Sequence, residues 1–343
     1  MSRAVPATLA TSIAPGESWQ RALRDAVNSV EELLSIIDVD PTDVDWMQPT
    51  RDEFPLRVPR SYIARMRRKD PGDPLLRQVI PVAAELKESP GFSLDPLREV
   101  PLSEGGILEK YATRVLLITT GACPLHCRYC FRRHFPYQSN GLSRAAIEET
   151  AERLRAQPDS REVILSGGDP LSLSNARLDE LVSALSGVES LTTLRIHSRF
   201  PIVLPERIDA GLLGLLRKSR LQVVVVTHSN HANEIDESVV AALSGLRESG
   251  ATLLNQSVLL RGVNADAESL EALSYRLFEA GVLPYYLHQL DRVRGTAHFE
   301  IDDANASSLI AELRRRVPGY LVPRLVREIP GELSKTPLAE SHL

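Results

Sequence analysis

The chain has 343 residues, of which 43% are hydrophobic and 25% charged, and its formal net charge is −5. This composition is ordinary for a globular protein, and the length allows one large domain with a smaller one or two medium domains. The mild acidity gives no basis for a nucleic-acid-binding surface, and no apolar run approaches the length of a membrane span. The first residues lack the apolar core of a secretion signal. We therefore expect a protein that binds neither nucleic acid nor membrane.

Residues 1–105 are predicted to form a separate, mostly helical layer. Apolar residues recur at helical spacing between Ser18 and Ile37. Beyond them the chain is interrupted by proline and aspartate, as at Asp40-Pro41 and in the run Asp70-Pro71-Gly72-Asp73-Pro74. Such residues are typical of turns and connectors.

From Tyr111 onward, short β-branched runs alternate with amphipathic stretches. Six strand–helix alternations imply a parallel sheet with right-handed crossovers, and six units are too few for a complete eightfold barrel. The predicted fold is therefore α/β, an open partial (β/α)6 barrel over residues 106–317 followed by a short C-terminal segment, 318–343. The predicted strands are Val115–Thr120, Val163–Ser166, Thr193–His197, Gln222–Thr227, Leu253–Leu259 and Pro284–Leu290, and the predicted helices lie near 143–156, 176–187, 206–218, 234–249, 266–280 and 303–316.

All the cysteines, Cys123, Cys127 and Cys130, fall within eight residues directly after the first predicted strand. Soft thiolates favour iron–sulfur clusters, zinc or copper(I). The odd count argues against a disulfide framework. Structural zinc wants four closed ligands, although His126 could be a fourth. The spacing therefore predicts a [4Fe–4S] cluster with one open iron rather than incidental core cysteines, and its free thiols predict a cytoplasmic location.

Glycine-rich or polar segments follow the next predicted strands. The run Ser166-Gly167-Gly168-Asp169-Pro170 fits either a simple turn or a close approach of the backbone to a ligand. Polar clusters stand at 195–199, 227–231 and 255–257. In barrels, active sites lie at the C-terminal ends of the strands. These clusters therefore predict a polar cofactor pocket beside the cysteines.

The C-x3-C-x2-C spacing, with Tyr129 before the last cysteine, resembles the signature of the radical S-adenosylmethionine (SAM) enzymes. In that superfamily the open iron binds SAM, and one electron cleaves SAM to methionine and a 5′-deoxyadenosyl radical. From Tyr111 to Pro337, and more weakly in the N-terminal region, the chain is similar to the lysine 2,3-aminomutase family, which also uses pyridoxal 5′-phosphate (PLP). The resemblance implies a radical-SAM partial barrel with a short C-terminal PLP-lysine segment.

The resemblance also implies roles for individual residues. Lys335 would carry PLP as a Schiff base, whereas a lysine in a loop is otherwise ordinary solvated surface. The planar guanidinium of Arg132 would hold the substrate carboxylate. The other implied contacts are Gly167, Gly168, Asp169, His228 and Gln256 for SAM, Tyr111 and Arg114 for the PLP phosphate, and Asp291 and Glu328 for the substrate ammonium.

The chain departs from the family pattern in several places. Glu328 stands where the family has an aspartate, His288 replaces a tyrosine, and residues 331–334 replace a glycine run, so a different PLP phosphate cradle is expected. The chain also ends eight residues after Lys335. This compact ending looks like the branch that supplies β-lysine for the modification of elongation factor P.

The sequence thus predicts a radical-SAM, PLP-dependent isomerase that converts free L-α-lysine to β-lysine. An electron donor of flavodoxin or ferredoxin type and a functional link to elongation factor P and its lysyl-transferring ligase are expected, and a homo-oligomer is left open. One rival is an aminomutase for another amino acid such as glutamate. Others are a PLP-independent radical SAM enzyme acting on a peptide and a non-catalytic iron–sulfur or zinc protein that binds a partner.

Overall fold

The structure is a computed structural model that describes residues 18–48, 54–100, 106–111, 113–137 and 144–338. The predicted helical spacing from Ser18 to Ile37 gives two helices rather than one. The break follows from Val27, which pairs with Val58 in an isolated β-bridge, and from Ser29, whose side chain accepts a hydrogen bond from the backbone of Glu32. The first helices are α1 (Ser18–Arg24), α2 (Val30–Ile36), α3 (Arg60–Ile63) and α4 (Pro74–Arg77).

In the described part of the chain, nine strands form one sheet in sequence order. The six predicted strands are confirmed as the second to the seventh. They pair in parallel with one another and with the eighth, whereas the first and ninth are antiparallel edge strands. The strands are β1 (Ile107–Tyr111), β2 (Arg114–Thr120), β3 (Glu162–Gly167), β4 (Thr193–Ser198), β5 (Gln222–His228), β6 (Thr252–Val258), β7 (Leu283–His288), β8 (Arg324–Arg327) and β9 (Thr336–Pro337).

Helices fill the connections between successive parallel strands, as the alternation predicted. Five of them start after a serine or aspartate whose side chain accepts a hydrogen bond from a free N–H group of the first turn. The predicted helix at 206–218 begins later, because a 3₁₀ turn occupies Pro205–Arg207 and Asp209 then caps the helix. These helices are α5 (Arg144–Arg155), α6 (Asn175–Ser186), α7 (Phe200–Val203), α8 (Ala210–Lys218), α9 (Glu237–Glu248), α10 (Ala267–Glu279) and α11 (Asp303–Arg316).

The two faces of the sheet have different partners. Since successive side chains of a strand point to opposite faces, one alternating set in each strand packs against the helices and the other set faces the barrel interior. In β4, for example, Leu194 and Ile196 belong to the main core, which places Arg195 and His197 on the interior face. By the same alternation the interior face also carries His228, Gln256, Tyr286 and His288.

The N-terminal elements share their core with the barrel. Trp19, Leu33 and Tyr62 belong to the same cluster of buried side chains as Leu165 of β3. This shared core places the N-terminal elements directly against the sheet.

No helix in the described ranges is both long and apolar enough to span a membrane.

A buried ion pair adds to this packing. Glu85 accepts hydrogen bonds from Arg128 Nε at 2.8 Å and Arg133 Nη2 at 2.7 Å, and its side chain is only 2% exposed. Burial alone would raise the pKa of Glu85, but the two guanidinium groups outweigh it and lower the pKa below the usual 4.5. The pair is therefore fully formed at neutral pH and weakens only as the pH falls below about 4.5.

We expect Glu85→Ala to lower the free energy of unfolding by about 3 kcal/mol, because it leaves buried guanidinium groups without their carboxylate. Urea unfolding of the purified protein, followed by circular dichroism, measures the change. Glu32→Ala is the matched control, since Glu32 pairs with Arg60 at an exposed site and should cost less than about 1 kcal/mol. Equal losses in the two variants would contradict the role given to Glu85.

Candidate active site

The loop that carries the three cysteines leaves the C-terminal end of β2 and is held by the N-terminal elements. The backbone N–H of His126 donates to Arg57 O at 3.1 Å, and that of Arg128 donates to Gln78 O at 2.9 Å. The His126 ring bonds to Pro55 O through Nδ1 and stacks on Phe54. His126, the conceivable fourth ligand, is thus engaged with the N-terminal segment.

The surroundings of the thiols fit a metal cluster. Burial raises the pKa of Cys123 and raises that of Cys130 to about 11, so these thiols would lose their protons only when a cation accompanies them. Cys127 Sγ accepts a hydrogen bond from Arg199 Nη1. Within the described ranges no three His, Cys, Asp or Glu side chains are grouped so as to hold a single metal ion. The cluster assignment therefore rests on the cysteine spacing, on these surroundings and on the relatives reported below.

The two glycines at the end of β3 let the strand approach the cysteine loop. Gly168 N donates to Thr120 O at 2.6 Å, and a Cβ on Gly168 would lie 2.5 Å from Ala122 O. Gly167 has a φ of +117°, a conformation that favours glycine. The close backbone approach expected of this pair is thus made to the protein's own loop, and the predicted contacts of Gly167 and Gly168 with SAM remain a prediction.

Asp169 joins the ends of β3 and β4. Its carboxylate accepts from Ser198 Oγ at 2.8 Å, from the backbone of Arg199 at 2.7 Å and from that of Leu171 at 3.0 Å. Burial raises its pKa to about 6 despite these bonds. The described contacts of Asp169 therefore organise the strand ends beside the cysteine loop.

His228 and Gln256, which are both predicted to contact SAM, lie side by side on neighbouring strands. They are paired in the register of β5 and β6. The His228 ring lies nearly parallel to that of Tyr129, with 3.0 Å between Nε2 and the tyrosine hydroxyl. Burial lowers the pKa of His228 to about 3, so the ring is neutral. His228 thus contacts the cysteine loop at Tyr129, and the contacts of His228 and Gln256 with SAM stay a prediction.

The buried side-chain nitrogen atoms that have no hydrogen-bond partner among the described residues include His197 Nε2 and Arg199 Nε at this end of the barrel. Buried polar atoms in folded proteins are almost always satisfied. Burial also lowers the pKa of His197 well below its usual value, so its ring is neutral. These atoms fit a site completed by a polar cofactor such as SAM or PLP.

Lys335 is fixed by the short edge strand β9. Thr336 pairs with Arg327 of β8, and Leu338 N donates to Leu325 O at 3.1 Å. The ammonium group forms an ion pair with Glu328 and lies 5.7 Å from the centre of the Tyr286 ring. The Lys335 side chain is only 20% exposed, so it is not an ordinary surface lysine. A half-buried amine facing the barrel fits the residue that holds PLP.

The remaining predicted residues lie at different depths. Arg114 is the first residue of β2 and pairs in register with Glu162, so it lies one strand length from the cysteine loop. Asp291 is half-buried and lies in the segment that follows β7. Tyr111 ends β1, and its side chain lies outside the described part of the structure. The structure thus brings Lys335 and Glu328 into contact, while the shared roles of the other three stay predictions.

Arg132 has a partner that the sequence did not reveal. Its Nε and Nη2 donate to the carboxylate of Glu99 at 2.6 and 3.1 Å, and its Nη1 donates to Ser166 Oγ at 3.0 Å. Both charged side chains are buried. Glu99 lies in an irregular segment where Asp95 accepts from the backbone of Glu99 and Val100. The Asp95-Pro96 turn was the one local sign of an ordered loop here.

A parallel, open barrel with three cysteines after its first parallel strand defines the radical SAM class, and the model of the Radical SAM superfamily matches residues 117–272. L-lysine 2,3-aminomutase of Escherichia coli K12 is 48% identical over 94% of this chain and 94% of its own length. The enzymes of that name from Haemophilus influenzae and Clostridium subterminale are 43% and 34% identical over 94% and 97% of this chain and 96% and 80% of their own. The chain therefore belongs to the lysine 2,3-aminomutase family.

Family membership confirms two sequence predictions. The family consists of isomerases, and its cofactors are a [4Fe–4S] cluster, SAM and PLP. The three free cysteines fit the cluster ligands that the superfamily requires, and the half-buried Lys335 fits the amine that PLP requires. The roles of these individual residues stay predictions.

We expect Gly168→Ala to reduce the iron bound after anaerobic reconstitution, because its Cβ would push against the backbone at Gly121 and Ala122 and displace the cysteine loop. Iron per chain and visible absorbance measure the effect. Gly214→Ala is the control, since nothing lies within 4 Å of its Cβ position and alanine should stabilise α8 by up to about 1 kcal/mol. A Gly168→Ala protein with full iron content would show that the close approach is dispensable.

Proposed function

We propose that this protein is an L-lysine 2,3-aminomutase that converts free L-α-lysine to β-lysine. The observation that carries the proposal is the position of Lys335, held half-buried beside Glu328 in the barrel whose rim carries the three cysteines. When bound, the reduced cluster and SAM supply a hydrogen-abstracting radical, and PLP carries the migrating amino group. Relatives of this name that match nearly the whole chain support the proposal.

The chain's own contribution is to hold the reactants and exclude water. The interior face of β2 and β3 presents Ile118 and Ile164, which are at most 3% exposed. Neutral imidazoles on β4, β5 and β7 supply polar atoms without charge. Positioning of this kind lowers the barrier by removing wrong orientations, and a dry interior protects a radical from side reactions.

The charged residues at the rim are suited to the two ends of a lysine molecule. Asp291 and Glu328 would hold the distal ammonium and Arg132 the carboxylate. Lys335 is a partner of Glu328 in this structure, so the substrate ammonium would share this carboxylate with Lys335 or displace it. Because Glu99 already takes two donors of Arg132, the substrate carboxylate would share this guanidinium with Glu99.

The same charges make the rival substrates less suitable. An acidic side chain such as that of glutamate would meet Asp291 and Glu328, and like charges at a partly desolvated site are costly. A PLP-independent enzyme acting on a peptide would give Lys335 no role in its half-buried setting. Free lysine is therefore the substrate that we favour.

We further propose the surroundings in which the enzyme works. The cluster requires a one-electron donor, for which a flavodoxin or ferredoxin is suited, and free thiols require a reducing compartment such as the cytoplasm. The product would be the (R)-β-lysine that a lysyl-transferring ligase attaches to elongation factor P. The number of subunits is left open.

The reconstituted, dithionite-reduced protein should form β-lysine when incubated anaerobically with PLP, SAM and L-lysine, as followed by chromatography. Lys335→Ala should slow the reaction by more than about 10³-fold and abolish the borohydride-stable adduct with PLP, because it removes the amine. Lys218→Ala, which alters an exposed lysine of α8, is the control and should retain both.

Two outcomes would contradict the proposal. Cleavage of SAM without β-lysine would leave the radical chemistry standing and overturn the choice of substrate. A protein with a full cluster that neither cleaves SAM nor forms β-lysine would favour a binding module.

Glu328→Gln should raise the KM for lysine roughly thirtyfold, which corresponds to about 2 kcal/mol for one partner of a buried charge pair. The KM is measured in the same assay with the enzyme saturated in PLP and SAM. Glu332→Gln, an exposed change in the same segment, should leave the KM within twofold, about 0.4 kcal/mol. An unchanged KM in the Glu328→Gln protein would show that another group holds the ammonium.

A further inference from the structure

Arg199 is a buried cation in direct contact with a cluster ligand. It follows β4 directly, and its side chain is 8% exposed. Nη1 donates to Cys127 Sγ, the middle of the three cysteines. An arginine keeps its charge at every pH that a folded protein tolerates. The cluster ligand therefore has a permanent positive charge beside it.

The second amino group of the guanidinium, Nη2, is held inside the protein by two hydrogen bonds. Nη2 donates to Gln78 Oε1 at 2.8 Å and to Glu234 Oε2 at 2.9 Å. The rings of Tyr62 and Tyr129 lie 5.6 and 5.7 Å from the guanidinium carbon, at cation–π distance. This arrangement fixes the direction of the N–H group that faces Cys127.

Glu234 is the counter-charge of this arginine and is equally fixed. Its side chain is fully buried, and Oε1 accepts from the backbone N–H groups of Asn230 at 2.8 Å and His231 at 3.0 Å. Oε1 also accepts from Gln78 Nε2 at 3.2 Å. The carboxylate therefore reduces the field of Arg199 without being able to move away.

Charge beside a cluster changes the ease with which it accepts an electron. Reduction adds negative charge, and hydrogen bonds to the sulfur ligands and nearby positive charge stabilise the reduced form. These effects are larger in a buried site, where water does not screen them. A cation in contact with Cys127 should therefore raise the reduction potential, and an anion behind it should lower the potential.

We propose that Arg199 and Glu234 set the reduction potential of the cluster, Arg199 by raising it and Glu234 by moderating that effect. The proposal rests on the cluster required by the proposed function. Arg199 acts through Cys127 and is in this sense a positioning residue. The pair would thereby control how readily the cluster accepts one electron, which is the step that precedes all radical chemistry.

The test is a redox titration of the anaerobically reconstituted protein, followed by electron paramagnetic resonance of the reduced cluster, without SAM, PLP or lysine. Arg199→Gln should lower the midpoint potential so that the ratio of reduced to oxidised cluster at a fixed potential falls about tenfold, or 59 mV for one electron. Glu234→Gln keeps the hydrogen-bonding shape, removes the negative charge and should raise the potential. Arg199→Lys should lie between Arg199→Gln and the unaltered protein.

Arg207→Gln is the matched control. Arg207 is also buried, but it donates to backbone oxygens of Leu171 and Leu173 rather than to a cysteine. Its replacement removes the same charge and should shift the midpoint by less than half as much as Arg199→Gln. Iron is measured in every variant, and if Arg199→Gln binds none, the upward shift in Glu234→Gln and the downward shift in Arg199→Lys decide the matter.

Three results would overturn the proposal. The midpoints of the Arg199 and Glu234 variants could be unchanged, or both could shift in the same direction, as general disturbance of the site would produce. Alternatively, Arg199→Gln could leave the SAM-free potential intact and weaken only SAM binding, which would make Arg199 a SAM ligand. Loss of the aminomutase proposal is distinguishable, because a protein that forms no β-lysine but shows the opposed shifts still supports the role of Arg199.

Discussion

The structure around the cysteines depends on one physical requirement, the pairing of buried arginines with carboxylates brought from elsewhere in the chain. Arg128, Arg132 and Arg199 are all buried within contact distance of the cysteine loop or in it. A buried charge without a partner costs several kcal/mol, far more than a surface pair is worth. The observed form of the loop is therefore stable only when these carboxylates pair with the buried arginines.

The origin of these carboxylates explains why the N-terminal elements pack where they do. Glu85 and Glu99 come from the segment before β1, and Glu234 comes from the turn after β5. Glu85 and Glu99 accept hydrogen bonds from Arg128 and Arg132. Other residues of the same N-terminal segment accept hydrogen bonds from the backbone N–H groups of His126 and Arg128. The N-terminal segment therefore contributes directly to the form of the cysteine loop.

The sequence was a good guide to the parts of the fold that have a local signal. The β-branched runs of β2 to β7 and the capped helices between them carry their periodicity in adjacent residues. β8 and β9 are short, and β9 exists only because Thr336 meets Arg327 after a turn. The break after α1 depends in the same way on a distant partner, Val58. No local pattern predicts such pairings.

The residues of the candidate site also differ in how clearly the sequence indicates their roles. The cysteines are recognisable from spacing alone, because three soft ligands on one loop have few other uses. Lys335 is indistinguishable from a surface lysine until the resemblance or the structure gives it a partner. Glu99 has no sequence signal for its role, since nothing in its neighbourhood indicates which arginine it meets. The sequence correctly indicated that the Gly167–Gly168 pair allows a close approach of the backbone. In the structure the segment that this pair approaches is the cysteine loop.

The arrangement of charge in the barrel has a chemical consequence. Charged pairs such as Arg132–Glu99 and Lys335–Glu328 stand at the rim, whereas His197 and His288 on the interior face are neutral because burial lowers their pKa. These neutral rings offer hydrogen bonds without adding charge beside the charged pairs at the rim. Arg195, on the same face as His197, is charged but is paired with Glu162. His288, where the family pattern has tyrosine, is neutral because burial lowers its pKa. The departure therefore keeps an uncharged polar side chain at this position.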